Sequence, residues 1–346
     1  MTEFEIVEDF TPEFEIEHEN FILNHKNSMM YHSIKYFNFL KGLIGVNPIS
    51  IVSKENGRID GVLPLMMIEG SFGKIINSLP YFGSNGSVLC TSEKKAKELV
   101  KIYNDLASMP NVGSSTIITN PLDSYDLKND VNFNQNDYRI GQFTNIQFSD
   151  NHEENLIRKI HFKTRNVIRK AKKLNVNTII DNSKLDLVHK LHEENMDSIG
   201  GLAKNVNIIN AIRKNYIAGK DYNVYLAIHS NNVVAGLLVF YFKNIVEYYM
   251  PVIKKEFRNL QGLSLLIFEA MKQASSQGFK LWNWGGTWEN QKGVYSFKKK
   301  WGTYDKKYYY LTKVNNDNIY KMDKDSLIKE YPNFYILPFN KLRNFE

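Results

Sequence analysis

Lys298 is the residue whose type and position most invite chemistry. It lies in Gly293-Val-Tyr-Ser-Phe-Lys-Lys-Lys-Trp-Gly302, downstream of a Gly285-Gly286 pair. Val294, Phe297 and Trp301 fall at i, i+3 and i+7, the apolar spacing of a short helix. At about 100° per residue, Lys298 falls about 40° from Val294, on the apolar stripe, while Lys299 and Lys300 swing to the polar side. An inward lysine beside a glycine break has the chemistry to hold an anionic ligand or a developing oxyanion. The plainer reading lays its stem on the core and lifts the amine to water. Tyr295 shares this helix.

The elements around it follow from the pattern. Lys280 to Gly285 predicts a strand, with Leu281, Asn283 and Gly285 alternating against Trp282 and Trp284 and the glycines ending it. Trp284 and its neighbours Trp282 and Trp288 suit stacking on a base or sugar, or plain core packing. Gly302 ends the helix, and a strand resumes at Tyr308 to Leu311. Upstream, Arg258-Asn-Leu-Gln-Gly262-Leu-Ser264 opens a helix after a strand at Ile245 to Ile253. Free N–H groups and the helix dipole make such a start an anion site, which nominates Gly262 and Ser264. Glu247 in that strand and Glu289 in the Trp-rich loop are candidate bases. The plainer reading of each is a structural or surface carboxylate.

Glu154 to Leu174 reads as one long helix with eight basic residues, Lys163, Arg165 and Arg169 among them. They form either a solvated face or a rail for an anionic substrate. Ser183 is placed to cap a helix running through Met196, and Asn205 to Ala218 forms another. In the first half, the N-terminal 25 residues read as an acidic lead-in with one strand. Met29 to Ile44 is a helix, and Pro48 to Ser53 and Gly61 to Ile68 form a hairpin turning at Asn56-Gly57. A turn-rich aromatic loop covers 79–86, a helix Lys94 to Ala107, a strand Ser115 to Thr119, a loop 121–137, and a strand Ile140 to Phe148. A second hairpin, Tyr222 to His229 and Val233 to Tyr241, repeats the outline of the first: Asn56 and Gly61 correspond to Asn231 and Gly236, each offset by 175. The repeat predicts two related α/β units, divided at 1–150 and 151–346.

Charge limits the partners. The 346 residues carry net +7, yet the first 20 hold eight acids and no Lys or Arg, so the rest is +15. That body favours phosphates, a nucleotide, RNA or a membrane surface. Cys90 is the only cysteine, which excludes an intrachain disulfide and a cysteine zinc site. The eight histidines show no metal-ligand spacing; His189 and His192 are i, i+3 without a supporting carboxylate pattern. No segment reaches the ~18 apolar residues of a membrane span, and the acidic start is no signal peptide. The cytoplasm is the expected address.

The segment from the helix ending at Gly278, through the strand into Gly285-Gly286, to Gly293-Val-Tyr-Ser-Phe297-Lys298 resembles the C-terminal signature of the FemAB family. Asn259-Leu-Gln-Gly262-Leu-Ser264 is loosely similar to the pyrophosphate loop of GNAT acyltransferases, and Lys163 to Ala171 to the family's basic entry helix. The resemblance covers most of 150–312. It implies an α/β fold of two tandem GNAT-like domains, mixed sheets flanked by helices. It implies N-acyl transfer to an amine of a cell-envelope precursor: an anionic nucleotide- or lipid-linked amino sugar, or a peptidoglycan peptide. The co-substrate is acyl-CoA or aminoacyl-tRNA, with no permanently bound cofactor, no metal, and work at the inner face of the membrane. Lys298 then stabilises negative charge at the transfer centre, and Asn283, Trp284, Gly285, Gly286, Tyr295, Gly262, Ser264, Lys163, Arg165 and Arg169 hold donor or substrate. The second half lacks the long antiparallel helical hairpin of some tRNA-using members, which tilts the donor toward acyl-CoA. The rival is a non-catalytic RNA- or glycan-binding protein on the same fold.

Overall fold

The computed structural model describes residues 2–81 and 85–342. The chain opens with β1 (Thr2–Val7) and α1 (Pro12–Asn24). Helix α1 replaces most of the expected acidic lead-in. Pro12 presets its first turn, Thr11 caps it by accepting from Phe14 N–H at 3.3 Å, and Phe14, His18 and Ile22 face inward. Ser33 caps α2 (Ile34–Ile44). The hairpin β2 (Pro48–Glu55) and β3 (Arg58–Ile68) turns at Asn56 and Gly57, both at positive φ (51° and 73°), as that two-residue turn demands. Then come β4 (Lys74–Asn77), β5 (Leu89–Cys90), α3 (Glu93–Ala107), β6 (Val112–Ile118) and β7 (Gln135–Asn145). Residues 82–84 of the aromatic loop lie outside the described residues.

The expected long basic helix is two helices, α4 (His152–Lys159) and α5 (Phe162–Lys173). Ile160 turns into the core, and His161 N–H donates to Lys300 O at 2.8 Å instead of continuing the ladder. An unexpected edge strand, β8 (Asn177–Ile180), follows. Asp181, not Ser183, caps the next turn, and α6 starts at Leu185 (Leu185–Asp197). Next are α7 (Asn207–Asn215), β9 (Tyr222–His229), β10 (Asn232–Phe242), β11 (Ile245–Ile253), α8 (Gly262–Ser276), β12 (Leu281–Thr287), α9 (Lys292–Lys299), β13 (Tyr304–Val314) and α10 (Lys324–Glu330).

The chain divides into two compact units, Met1–Arg139 with Lys307–Glu346, and Ile140–Lys306. The division falls at 139 where the sequence placed it at 150, and the last forty residues group with the first unit. The series β1-α1-α2-β2-β3-β4-α3-β6-β7 recurs as β8-α6-α7-β9-β10-β11-α8-β12-β13. The sheet of the first unit runs β1-β2-β3-β4-β6-β13, and that of the second β7-β12-β11-β10-β9-β8. Each has one parallel pair, β4 with β6 and β11 with β12. These are the mixed sheets flanked by helices that the tandem pattern implies, and the hairpins offset by 175 residues occupy equivalent places.

The two cores differ in character. That of the first unit is aliphatic around Leu63, Leu65, Leu99 and Ile117. That of the second packs Trp282, Trp284 and Trp301 against Phe268 and Met271 of α8.

His18 and His32 are fully buried, and burial lowers their pKa to about 4 and about 3; His192, also buried, falls to about 4. Unfolding frees these rings to bind protons near their ordinary value of about 6.5. The unfolded state therefore holds more protons below that value, and stability falls as pH drops. The urea midpoint is expected to decline between pH 6.5 and 5, before carboxylates titrate. A flat midpoint across that window would refute this assignment.

Candidate active site

The site forms where β12 leaves β11. Their parallel ladder has three registers only, Ile245 with Leu281, Val246 with Trp282, and Glu247 with Asn283. Past Glu247, β11 continues beside β10 without β12. On its other side β12 pairs with β7, and that register slips between Asn283 and Gly286. The glycines therefore make a bulge within a strand that runs on to Thr287; they do not end it. Gly285 sits at φ +72°, and a Cβ there would meet no atom within 4 Å, so its backbone conformation, not space, is what calls for glycine.

Two side chains hold this bulge. Asn283 Nδ2 donates to Glu247 Oε2 at 2.7 Å, and Asn283 Oδ1 accepts from Gly285 N–H at 2.9 Å. Lys298 Nζ donates to Thr287 Oγ1 at 2.8 Å, Gly286 O at 3.3 Å and Gly285 O at 3.4 Å. Thr287 in turn donates to Gln142 Oε1, and Gln142 Nε2 donates to Thr303 Oγ1, both at 3.3 Å. Lys298 is only 6% exposed, and burial lowers its pKa from 10.5 to about 8. Among the described residues, no carboxylate is among its hydrogen-bond partners. The amine is thus fixed by neutral oxygens, which leaves its charge to act on a ligand. The snorkelling alternative is set aside, because the amine ends inside.

Aromatic residues fix the helix that carries Lys298. Trp301 is fully buried against Trp284 (5.5 Å between ring centres) and Phe297 (6.3 Å). Trp284 Nε1 donates to Thr144 Oγ1 at 2.9 Å, and that hydroxyl donates to Trp301 O at 3.1 Å. Trp284 is 2% exposed, so of the two readings offered for it, core packing holds and the donor- or substrate-binding role does not; of the four tryptophans, only Trp288 is exposed.

The structure gathers Lys298, Asn283, Gly285, Gly286 and Glu247 at one bulge. Tyr295 is half-buried on α9, and its hydroxyl donates to Asp305 at 2.6 Å. Glu289 is exposed in the turn before α9. Gly262 has a packing reason: a Cβ there would come within 2.9 Å of Val234 and 3.3 Å of Ala227. Ser264 lies half-buried in the first turn of α8, whose start has no side-chain cap. Lys163 and Arg169 are exposed on α5 and Arg165 is half-buried; Arg169 donates to Asn166 at 3.0 Å. Lys172, from the same helix, pairs with Glu269 (3.2 Å) and Glu153 (3.5 Å).

Thr287 and Gln142 were not anticipated. Thr287 had a signal, its place just after the glycines in the same strand, whereas Gln142 comes from a strand 145 residues away. Lys204 was also missed. It sits 4.9 Å over the Tyr249 ring, and burial lowers its pKa to about 8. His189 and His192, weighed above for metal, pin its backbone: His189 Nε2 lies 2.7 Å from Lys204 O, and Lys204 N–H donates to His192 Nε2 at 3.2 Å.

The model of the FemAB family matches residues 180–309, the segment that includes β11, β12 and α9. The chain is similar in structure to FemX, at 16% identity and a TM-score of 0.67, covering 91% of this chain and 98% of that one. It is also similar to a conserved protein of unknown function from Bacteroides thetaiotaomicron (10%, TM-score 0.56, 90% and 100% covered). A third is the C-terminal domain of a putative lysylphosphatidylglycerol synthetase from Agrobacterium fabrum (11%, TM-score 0.53, 87% and 92%). At these identities the likeness establishes the fold. No curated protein matches the sequence.

Proposed function

We propose that the protein is an N-acyltransferase that moves an acyl or aminoacyl group from an activated ester or thioester to an amine of a cell-envelope precursor. The observation that carries this reading is the buried Lys298 ammonium on the β12 bulge, at the open end of the β11–β12 ladder. The amine lone pair attacks the donor carbonyl carbon and a C–N bond forms. The carbonyl oxygen becomes an oxyanion, which Lys298 stabilises. Collapse breaks the C–S bond and releases thiolate, or breaks the C–O bond and releases the ribose oxygen, which takes up a proton from water; the attacking nitrogen gives its proton to Glu247 or water. Proximity and orientation provide much of the rate.

Acyl-CoA is the donor we favour, with its phosphates at the uncapped start of α8. Aminoacyl-tRNA is the second reading. It draws on the charge of Ile140–Lys306, which holds 25 Lys and Arg against 14 Asp and Glu, a net of +11.

The pH profile tests the role of Lys298. An oxyanion partner must be protonated, so single-turnover transfer from a bound donor should fall as pH rises through about 8. A rate that keeps rising past pH 9 would assign the lysine a different role.

A further inference from the structure

Strand β7 holds α9 at two places. Residues two apart in a strand share a face. Gln142 and Thr144 are such a pair, and both are fully buried. Thr144 donates to Trp301 O, two residues past the end of α9. Gln142 Nε2 donates to Tyr295 O, inside α9, at 3.4 Å and to Thr303 Oγ1 at 3.3 Å. Lys298 lies between these two holds.

Gln142 also orders a proton. The Tyr295 carbonyl can only accept, so it fixes the amide with Nε2 toward α9 and Oε1 toward Thr287. Oε1 then takes the Thr287 hydroxyl proton at 3.3 Å. The Thr287 oxygen is left presenting lone pairs to Lys298 Nζ at 2.8 Å, a closer contact than those to Gly285 and Gly286. An ammonium, which can only donate, suits that arrangement. Without Gln142, the buried Thr287 hydroxyl satisfies its proton by turning it to Nζ, and that contact favours the neutral amine. The other ionisable groups around Lys298 are Glu247 and Tyr248 on β11, Tyr295 and Lys299 on α9, and Tyr304 and Asp305 on β13. Strand β12 carries none. Glu247 is bound by Asn283, and Tyr295 and Lys299 both donate to Asp305.

We propose that Gln142 is a positioning residue of the transfer site: it aims the Thr287 hydroxyl so that Lys298 is held at the bulge as an ammonium. The inference rests on the reading of Lys298 as the partner of the oxyanion.

Gln142→Met and Gln142→Glu separate this role from simple support of α9. Both lose the amide that holds Tyr295 and Thr303. Only glutamate keeps an acceptor facing Thr287, and it adds negative charge. In single-turnover transfer, the fall in rate expected near pH 8 should move down by about half a pH unit or more in Gln142→Met and up by a similar amount in Gln142→Glu. Donor affinity should stay unchanged in both. Shifts in the same direction, or in neither variant, would make Gln142 structural alone and overturn the proposal.

The urea midpoint reads the same lysine without substrate. Lys298 titrates at about 8 when folded and about 10.4 when unfolded. The unfolded state holds more protons between those values, so stability rises with pH there. The rise should be larger in Gln142→Met than in Gln142→Glu, and the difference should vanish when Lys298 is also replaced by methionine. Equal rises in the two variants overturn the proposal. Rises that differ as stated, in a protein that transfers nothing, support the proton order and refute the acyl-transfer reading instead.

Discussion

Replacing Lys298 with methionine is expected to slow acyl transfer by about a hundredfold to a thousandfold while donor binding survives. Methionine keeps an unbranched, buried stem and removes the ammonium. Three oxygens, on Gly285, Gly286 and Thr287, lose a donor. Against that, a charge is no longer held where burial lowers its pKa by more than two units. Relief of that burial offsets the lost hydrogen bonds, so the variant should be at least as stable as the wild type at neutral pH. Lower turnover with a melting temperature that does not fall is the signature of a residue kept for function. Equal losses of turnover and stability would mark Lys298 as structural.

Trp301→Ala is expected to show the opposite pairing. It empties a fully buried site between Trp284 and Phe297, which costs about 3–5 kcal/mol for a residue of this size. The site cannot close easily. Gly302 follows at φ +72°, and its Cα already lies so near Lys159 that a Cβ would come within 2.9 Å of that carbonyl. Helix α9 loses its anchor, so Lys298 loses its aim, and transfer should fall along with the urea midpoint. A Trp301→Ala protein that melts like the wild type would contradict the account of how α9 is held.

The features legible in the sequence were those set by local spacing. The Asn56-Gly57 turn, the second hairpin, the start of α8 and the inward position of Lys298 follow from turn chemistry and apolar period. Long-range packing decided the rest. Ile160 and His161 break a helix that periodicity runs straight through, because His161 bonds to Lys300. Gly285 and Gly286 read as a strand end and form a bulge, because β7 continues to pair beyond them. Trp284 reads as core more readily than as platform, and its contacts with Trp301 and Thr144 settle it as core. Gln142 reaches the site from a strand 145 residues away, so no local pattern could nominate it.

The most direct measurement is binding of the purified protein to acetyl-CoA, to charged tRNA and to uncharged tRNA, side by side at physiological salt. An acyltransferase centred on Lys298 should bind one donor saturably and retain that binding in Lys298→Met. Acetyl-CoA is the expected donor, with tRNA held only weakly and without preference for the charged form; clear preference for charged tRNA would carry the same chemistry to an aminoacyl donor. If neither donor binds, the acyl-transfer account fails, and a non-catalytic RNA- or glycan-binding protein becomes the reading of this fold.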